Sequence, residues 1–261
     1  MVKLVVDRIT VVLGSEVVLE DVEFEVSGPG LVQVLGPNGA GKTTLFNTIL
    51  GLIKPVKGRI LVDGVDVTGN PRLVGKYVGY VQQFAGIGLE FPITALELVA
   101  GAYLLRQQKP PRLFKRKTAL KRALEVLRKV GLEEHVLNKP LAQLSGGQRQ
   151  RAFIARALVF DPPILIMDEP FSAVDPHGRV ELAKMVGELA KEKLVIISSH
   201  DPTLLIEYTS KVLLLNRRVI AFGDPDEVLR EDTLRKVYGS AVLVYAAHVH
   251  ISDSCPPRSK Y

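Results

Sequence analysis

The chain has 261 residues, 47% of them hydrophobic and 24% charged, so it is expected to fold as one large globular domain or two small ones. Its net charge of +6 is compatible with a nucleotide, a nucleic acid or an anionic lipid surface as partner. Cys255 is a single cysteine and excludes an intrachain disulfide, no apolar run reaches the roughly 18 residues of a membrane-spanning helix, and Met1–Asp7 meets a charge too early for a signal peptide. We therefore expect a cytoplasmic protein.

The first thirty residues are predicted to form short antiparallel strands, with a turn at Gly28-Pro29-Gly30. From there to about Ser198, strands alternate with helices, which is typical of a mostly parallel sheet covered by helices. The predicted core strands are Leu31–Leu35, Tyr77–Val81, Ile164–Met167 and Leu194–Ser198.

A glycine-rich loop follows the first core strand and fits the pattern G-x-x-x-x-G-K-[ST]: Gly36-Pro37-Asn38-Gly39-Ala40-Gly41-Lys42-Thr43. Its glycines let the backbone approach a phosphate closely and adopt positive φ, so that the amides surround the anion. Lys42 supplies a cation for the outer phosphates, and the Thr43 hydroxyl suits Mg²⁺. Thr44–Gly51 is predicted to be a helix that ends at its glycine, which places the phosphates at a helix N-terminus.

Residues 84–152 lack strong strand signals and are interpreted as a helical insert in the α/β core. Thr94-Ala95-Leu96-Glu97 is a capping box that opens a helix, and a second helix is predicted from apolar spacing. That second helix carries Leu120, Ala123, Leu124, Leu127 and Val130 and ends at Gly131. Arg106–Lys129 is strongly basic, either as a solvated helix face or as a surface near anionic headgroups. Aromatic residues do not alternate with these charges, which argues against a single-strand nucleic-acid platform.

Leu144-Ser145-Gly146-Gly147-Gln148 precedes a predicted helix over Arg149–Phe160. A Ser-Gly-Gly turn before a helix is a second potential anion site. Since a single core has one site of the Lys42 type, two anion sites require either two nucleotides or one nucleotide shared between chains.

Polar side chains follow two of the core strands. Asp168 and Glu169 come after Ile164–Met167, and His200 comes soon after Leu194–Ser198. Ligands of open parallel sheets bind at the carboxyl ends of the strands. Asp168 is therefore predicted to hold Mg²⁺, Glu169 to orient or deprotonate a water, and His200 to contact a phosphate. The alternatives are a polar strand end before a turn and a structural histidine.

Four Asp-Pro pairs are predicted to begin helices, because proline suits the first helical position and aspartate caps it. They are Asp161-Pro162, Asp175-Pro176, Asp201-Pro202 and Asp224-Pro225, the last with a capping box to Glu227. After Asp175 an apolar stripe of core residues runs through Leu182, Ala183, Val186, Leu189 and Ala190.

The C-terminal segment Ser252–Tyr261 is polar and expected to be loose. Just before it, His248 and His250 would share one face of a strand, with Cys255 nearby. This arrangement is either a metal site or a solvent-facing strand end.

These motifs, in this order, resemble those of the ATP-binding cassette (ABC) ATPases over about residues 1–245. The resemblance makes Gln83 the Q-loop glutamine and Ser172-Ala173-Val174-Asp175 the D-loop. It also puts Leu13 where the family often stacks an aromatic ring on adenine. Leucine offers no ring, so we expect ATP and GTP to be hydrolysed at similar rates.

The resemblance implies an α/β fold of the P-loop NTPase type, with a mixed, largely parallel sheet, an N-terminal antiparallel subdomain and an inserted helical subdomain. The nucleotide-binding core would comprise residues 1–83 and 153–225, the helical subdomain 84–152, and a C-terminal extension 226–261. The implied nucleotide-binding residues are Leu13, Gly36, Pro37, Asn38, Gly39, Ala40, Gly41, Lys42, Thr43, Thr44, Ser145, Gly146, Gly147, Gln148 and Asp175.

The resemblance further implies that two copies stack head to tail, each ATP lying between residues 36–44 of one chain and 145–148 of the other. Thr43, Gln83 and Asp168 would hold Mg²⁺. Lys42 would stabilise developing charge, Glu169 would polarise water, and His200 would hold the γ-phosphate. Gln83 would connect the Mg²⁺ site to the helical insert.

One cassette without a long coiled coil fits a transporter subunit that binds a separate integral membrane permease on the inner face of the cell membrane. An extracytoplasmic solute-binding protein would complete the system, and no nucleic acid is expected. Three segments resemble the branch that imports zinc, manganese or iron: Phe91–Thr94, Glu97–Tyr103 and Asp168–Asp175. The alternatives are an importer of iron chelates or cobalamin, a soluble assembly factor such as one handling iron–sulfur clusters, and a nucleic-acid-binding protein.

Overall fold

The computed structural model describes residues 1–83, 92–106, 116–239, 242–245 and 248–251. In these residues the strands are β1 (Lys3–Leu13), β2 (Glu16–Ser27), β3 (Gly30–Leu35), β4 (Lys57–Val62), β5 (Val65–Asp66), β6 (Val78–Val81), β7 (Ile164–Met167), β8 (Leu194–Ser198), β9 (Lys211–Asn216), β10 (Arg218–Gly223), β11 (Val242–Tyr245) and β12 (His248–Ile251). The α-helices are α1 (Lys42–Ile49), α2 (Pro71–Val74), α3 (Ala95–Arg106), α4 (Arg116–Lys129), α5 (Gly146–Leu158), α6 (Pro176–Ala190), α7 (Pro225–Val228) and α8 (Glu231–Tyr238).

The N-terminal strands form an antiparallel sheet of order β2-β1-β4-β5. The expectation of short strands here was wrong, because β1 and β2 have 11 and 12 residues. Apolar and polar residues alternate along β2, burying Val22, Phe24 and Val26 while their neighbours stay exposed, and this alternation supports a long half-buried strand. The turn predicted at Gly28-Pro29-Gly30 leads from β2 into β3 and contains a cis Gly28–Pro29 peptide.

The central sheet has the order β10-β9-β3-β8-β7-β6, and all of its strands are parallel except β10. Its four predicted strands are confirmed to within one residue at each end. Val34 pairs with Ser198, and Met167 pairs with Ile197, so β3, β7 and β8 end at one level. The segments that follow these three strands therefore meet at one edge of the sheet.

Apolar side chains alternate between the two faces of the central sheet. Ile166 faces a core shared with Phe46 of α1 and Phe24 of the antiparallel sheet. Leu165 faces the opposite core, which contains Leu127 of α4 and buried residues of α3, α5 and α6. All strand residues of β7 and β8 are buried, as a parallel sheet covered on both faces requires.

The described part of the insert is helical, as predicted. Thr94 caps α3 reciprocally: its Oγ1 accepts from Glu97 N at 3.1 Å, and Glu97 Oε2 accepts from Thr94 N at 2.9 Å. α4 buries Ala123 and Leu127, and the chain leaves it through Gly131 at φ 75°. α5 begins at Gly146, three residues before the predicted start, and continues past residue 152. Residues 84–91 and 107–115 of this segment lie outside the described residues.

The basic side chains of α4 make specific contacts. Arg122 Nε donates to Val159 O at 3.0 Å, and Lys129 Nζ lies 2.7 Å from Glu192 Oε2. Lys109, Arg112 and Lys115 lie outside the described residues.

Three of the four Asp-Pro pairs precede helices as predicted, at Asp175, Asp201 and Asp224. Asp175 Oδ1 accepts from Gly178 N at 3.0 Å at the start of α6, and Asp201 precedes a 3-10 helix over Thr203–Tyr208. Burial follows the predicted stripe along α6.

Two details of the Asp-Pro predictions were wrong. Asp224 is the N-cap of the single turn of α7, but its capping box with Glu227 does not form, because its carboxylate pairs with Lys211 at 3.0 Å. Asp161 begins no helix; the two prolines after it lead directly into β7. Its carboxylate instead lies 2.5 Å from Lys193 Nζ.

Asp161→Asn is expected to destabilise the fold by about 1–2 kcal/mol at neutral pH, since it weakens a hydrogen bond to the buried ammonium of Lys193, which is 6% exposed. Lys193 holds the pKa of Asp161 below its usual value of 3.8. A lowered carboxyl pKa stabilises the fold above the unfolded pKa, and this stabilisation is lost as pH falls through the folded pKa. Urea unfolding should therefore separate the two proteins at pH 7, and the difference should shrink as the pH falls below 3.8. A difference that does not change with pH would contradict this assignment.

The C-terminal strands β11 and β12 pair antiparallel, with His248 opposite Tyr245 and His250 opposite Leu243. Cys255 and Ser252–Tyr261 lie outside the described residues. Within the described ranges, no three His, Cys, Asp or Glu side chains gather so that they could hold a metal ion. A metal site at His248 and His250 stays a prediction. Among the helices of the described chain, none combines the length and apolar character needed to cross a membrane.

Candidate active site

The loop Gly36–Thr43 joins β3 to α1 and is pressed against two neighbouring strands. A Cβ on Gly36 would lie 2.2 Å from Leu215 O, and one on Gly41 would lie 2.6 Å from Leu19 Cδ2. Gly41 also has φ 96° and is the N-cap of α1, which begins at Lys42, two residues before the predicted start. Because Gly41 has no side chain to cap the helix, the first amides of α1 receive no hydrogen bond from a capping side chain.

Lys42 lies inside the loop and is 6% exposed. Its Nζ donates to Gly36 O at 2.6 Å and to Pro37 O at 3.2 Å. The Lys42 ammonium is thus held by the carbonyls of the first two residues of the phosphate loop.

Asp168 is tied to two strands and to the loop. Its Oδ2 accepts from Thr43 Oγ1 at 2.8 Å, and its Oδ1 accepts from Ser198 Oγ at 2.6 Å. Ser198 Oγ in turn accepts from Glu169 N at 2.9 Å. Asp168 is only 1% exposed, and its two hydrogen bonds hold the carboxylate next to the loop.

Ser198 was missed as a site residue. The available signal was its position as the last, polar residue of an otherwise apolar strand, next to the strand that ends in Asp168. Its hydroxyl bridges Asp168 and Glu169, so it positions both carboxylate residues.

Glu169 has φ 45°, a left-handed conformation that turns its side chain away from that of Asp168. Its Oε2 accepts from Gln83 Nε2 at 2.7 Å, and its Oε1 lies 2.7 Å from His200 Nε2. Three predicted catalytic side chains, carried by the segments after β6, β7 and β8, therefore meet at one carboxylate.

Tyr80 lies on β6 beside this site. Its burial and the charge of Asp168 raise its pKa to about 12. The phenol therefore stays neutral and adds no charge near the carboxylates at physiological pH.

A cavity of about 280 Å³ connects the loop to Glu169. It is lined by Val18, Pro37, Asn38, Gly39, Ala40, Gly41, Lys42, Thr43, Thr44, Gln83 and Glu169. A second cavity of about 140 Å³ lies on the other side of Glu169, with His200 and Ser172 in its wall. Leu13 is not in the lining of either cavity; it is 44% exposed at the end of β1.

The second predicted anion site is built as a helix start. Ser145 is the N-cap of α5, with its Oγ accepting from Gln148 N at 3.2 Å and Gln148 Oε1 accepting from Ser145 N at 3.1 Å. Within one chain this motif does not line the cavity at Lys42. Asp175 is two residues after Ala173, whose carbonyl lies against Gly146. The hydrogen bond from Gly178 N lowers the pKa of Asp175.

Gly146→Ala is expected to destabilise the protein by about 2 kcal/mol or more, because its Cβ would lie 2.0 Å from Ala173 O. Gly147→Ala is the matched control, since its Cβ would meet Val174 Cγ1 at an ordinary 3.6 Å. Thermal unfolding of both variants measures the difference. Equal melting temperatures would show that the tight contact between Gly146 and Ala173 is not required.

Known proteins that are similar to this chain identify its family. Residues 19–172 match the family model described as ABC transporter. The manganese transport system ATP-binding protein MntB of Bacillus subtilis is 36% identical over 239 residues, covering 89% of this chain and 91% of that protein. The zinc import ATP-binding protein ZnuC of Pseudomonas aeruginosa PAO1 is 34% identical over 251 residues, covering 94% and 83%.

Solved structures give the same result. MJ1267, an ATP-binding cassette of an ABC transporter, superposes with a TM-score of 0.80 at 27% identity, covering 91% of this chain and 99% of that one. A dimer of the cassette MJ0796 bound to ADP and Pi has a TM-score of 0.69 at 30% identity, with coverage of 86% and 98%. The chain thus belongs to the ABC transporter family and is an ATPase.

Proposed function

We propose that this chain hydrolyses ATP to energise uptake of a metal ion, namely manganese, zinc or iron, through a separate membrane-spanning permease. The observation that carries the proposal is the similarity to MntB and ZnuC, named for manganese transport and zinc import, over 89% and 94% of this chain. The aligned part of the chain is therefore much longer than the ATPase motifs alone. The ATPase would lie on the cytoplasmic face of the membrane, and a solute-binding protein outside the membrane would deliver the ion.

The loop Gly36–Thr44 is proposed to bind the phosphates. Its amides and the N-terminus of α1 supply positive potential, and Lys42 supplies a full charge for the outer phosphates. To reach them, the Lys42 ammonium would exchange its contact with Pro37 O, the longer of its two bonds to the loop at 3.2 Å. Leu13 is proposed to contact the base.

The oxygen donors at this site fit Mg²⁺. The Thr43 hydroxyl and the Asp168 carboxylate lie 2.8 Å apart, and both are hard oxygen ligands of the kind that Mg²⁺ prefers. Gln83 offers an amide oxygen on the other side of the cavity. When bound, the ion would neutralise charge on the outer phosphates.

Glu169 is proposed to orient the attacking water and to accept its proton. A hydrogen bond from Gln83 holds one carboxylate oxygen in place, and His200 Nε2 contacts the other. With ATP bound, His200 Nε2 would leave Glu169 to hold the γ-phosphate, which would free that carboxylate oxygen to accept the proton from water. Gln83 would transmit changes in nucleotide binding to the helical insert. It directly precedes residues 84–91, which lie outside the described residues.

A second copy of the chain is proposed to complete each site. Ser145–Gln148 forms an anion-binding helix start that its own loop cavity does not include, so it is available to the triphosphate of a partner. The Ser145 hydroxyl and the Gly147 amide would contact the γ-phosphate, and Asp175 would lie at the interface. The dimeric structures of MJ0796 support this arrangement.

The domain division is part of this proposal: a core of residues 1–83 and 153–225, a helical subdomain at 84–152 that contacts the permease, and an extension from 226. The limit at residue 152 falls inside α5, which packs against α3 and α4 on one side and reaches β6 on the other.

Uptake of a metal chelate is the second candidate substrate. A putative metal-chelate type ABC transporter in an inward-facing conformation superposes with a TM-score of 0.76 at 25% identity over 91% of this chain. The same ATPase chemistry serves either substrate, because the transported solute contacts the permease.

The test is co-purification followed by transport. The tagged chain should be recovered from detergent-solubilised membranes with a helical membrane protein. The pair, reconstituted in vesicles with its binding protein, should take up Mn²⁺, Zn²⁺ or Fe²⁺ in the presence of ATP. Vesicles with the Glu169→Gln variant are the control for leakage. Recovery with soluble proteins or RNA alone, or uptake of chelates but not free ions, would overturn the metal-ion assignment.

A further inference from the structure

The cavity at the phosphate loop has two chemically different ends. One end is formed by Gln83 and Glu169, and the other reaches Val18 of β2. Outer phosphates directed at Lys42 and Thr43 leave the nucleoside on the Val18 side, toward the hairpin of β1 and β2. The residues that border this side of the cavity therefore decide how the base is held.

Arg217 joins the phosphate loop to that hairpin. Its backbone N donates to Ala40 O at 3.0 Å, and its backbone O accepts from Glu20 N at 2.8 Å. Its φ of 58° is unusual for a residue with a long side chain. These contacts anchor the residue between the loop and β2.

The Arg217 side chain reaches the tip of the same hairpin. Its Nη2 lies 2.6 Å from Glu16 Oε1, and Glu16 is the cross-strand partner of Leu13. Partners in an antiparallel pair present their side chains on one face of the sheet, so the guanidinium lies over the face that carries Leu13. The ion pair uses the edge of the guanidinium, and 57% of the side chain remains exposed.

We propose that Arg217 is a specificity-determining residue that holds the nucleobase against the face of its guanidinium, beside Leu13. This inference rests on the proposed nucleotide site. A guanidinium is planar and weakly hydrated, and it stacks on aromatic rings. It would supply the flat surface that Leu13 lacks, and Glu16 would keep it in position. Stacking tolerates any purine, so ATP and GTP would bind with similar affinity.

The test measures the affinity of the full-length protein for ATP, GTP and inorganic tripolyphosphate by calorimetry. Arg217→Ala should weaken ATP and GTP binding by about tenfold and leave tripolyphosphate, which has no base, unchanged. Arg217→Lys, which keeps the charge without the plane, should behave like the alanine variant. Arg218→Ala is the matched control. Arg218 pairs with Glu20, which lies further along β2 than Glu16, the partner of Leu13, so this variant should bind ATP as wild type.

Three results would overturn the inference: unchanged ATP affinity in Arg217→Ala, an equal loss for tripolyphosphate, or full affinity in Arg217→Lys. An equal loss for tripolyphosphate would mean that the Arg217 side chain acts on the phosphates and not on the base. Failure of the wild-type protein to bind any of the three ligands would instead contradict the proposed nucleotide site, so the two failures are distinguishable.

Discussion

A Glu169→Gln variant is expected to bind ATP as tightly as the wild type and to hydrolyse it about a hundredfold more slowly or worse. Glutamine keeps the size of the side chain and an oxygen for the bond from Gln83, which measures 2.7 Å in the wild type. It cannot accept a proton from water at neutral pH. Phosphate release under saturating ATP measures the rate, and equilibrium dialysis measures the affinity.

The control is Glu188→Gln, which neutralises an exposed carboxylate that lies 2.7 Å from Lys191. It should hydrolyse ATP at the wild-type rate. If Glu169→Gln retained the wild-type rate as well, Glu169 would not be the base, and the contacts of Gln83 and His200 would be structural.

A Lys42→Met variant is expected to lose about ten- to a hundredfold in ATP affinity, the range for hydrogen bonds to charged groups. Methionine approximates the length of lysine without the ammonium that donates to Gly36 O at 2.6 Å. The variant loses the cation for the outer phosphates and also leaves this loop carbonyl without that donor. Titration of a fluorescent ATP analogue measures the affinity.

Lys76→Met, on the exposed surface, is the matched control and should bind ATP normally. Unchanged affinity in Lys42→Met would show that Lys42 serves only to shape the loop. A loss that is equal for ATP and for a base-only ligand such as adenosine would point to a collapsed loop, because adenosine has no phosphate for Lys42 to bind.

The parts of the site that sequence predicts are those set by local chemistry. The loop Gly36–Thr43 needs its glycines at fixed positions, and an apolar strand followed by Asp168 and Glu169 is recognisable without knowledge of the fold. The capping box at Thr94 is visible for the same reason, since Glu97 is only three residues away. Family resemblance then added Gln83, and it selected sharing between two chains as the role of the anion site that local chemistry predicts at Ser145–Gln148.

Contacts between distant segments could not be predicted in this way. The bond from Ser198 to Asp168 depends on the register of β7 against β8, and the ion pair between Arg217 and Glu16 joins segments about 200 residues apart. Predictions from local sequence were also wrong where a residue distant in sequence binds the side chain. The Asp224 carboxylate was predicted to cap a helix, but it forms an ion pair with Lys211. Asp161 was also predicted to begin a helix, but it forms an ion pair with Lys193.

The most direct test of the shared site is the mass of the Glu169→Gln protein in solution, measured by light scattering after gel filtration. With saturating Mg²⁺ and ATP, we expect a particle of twice the 28.6 kDa chain mass, and a single chain when ADP replaces ATP. A hydrolysis-deficient protein that binds ATP yet stays at the mass of one chain would contradict the proposal that two copies close on the triphosphate.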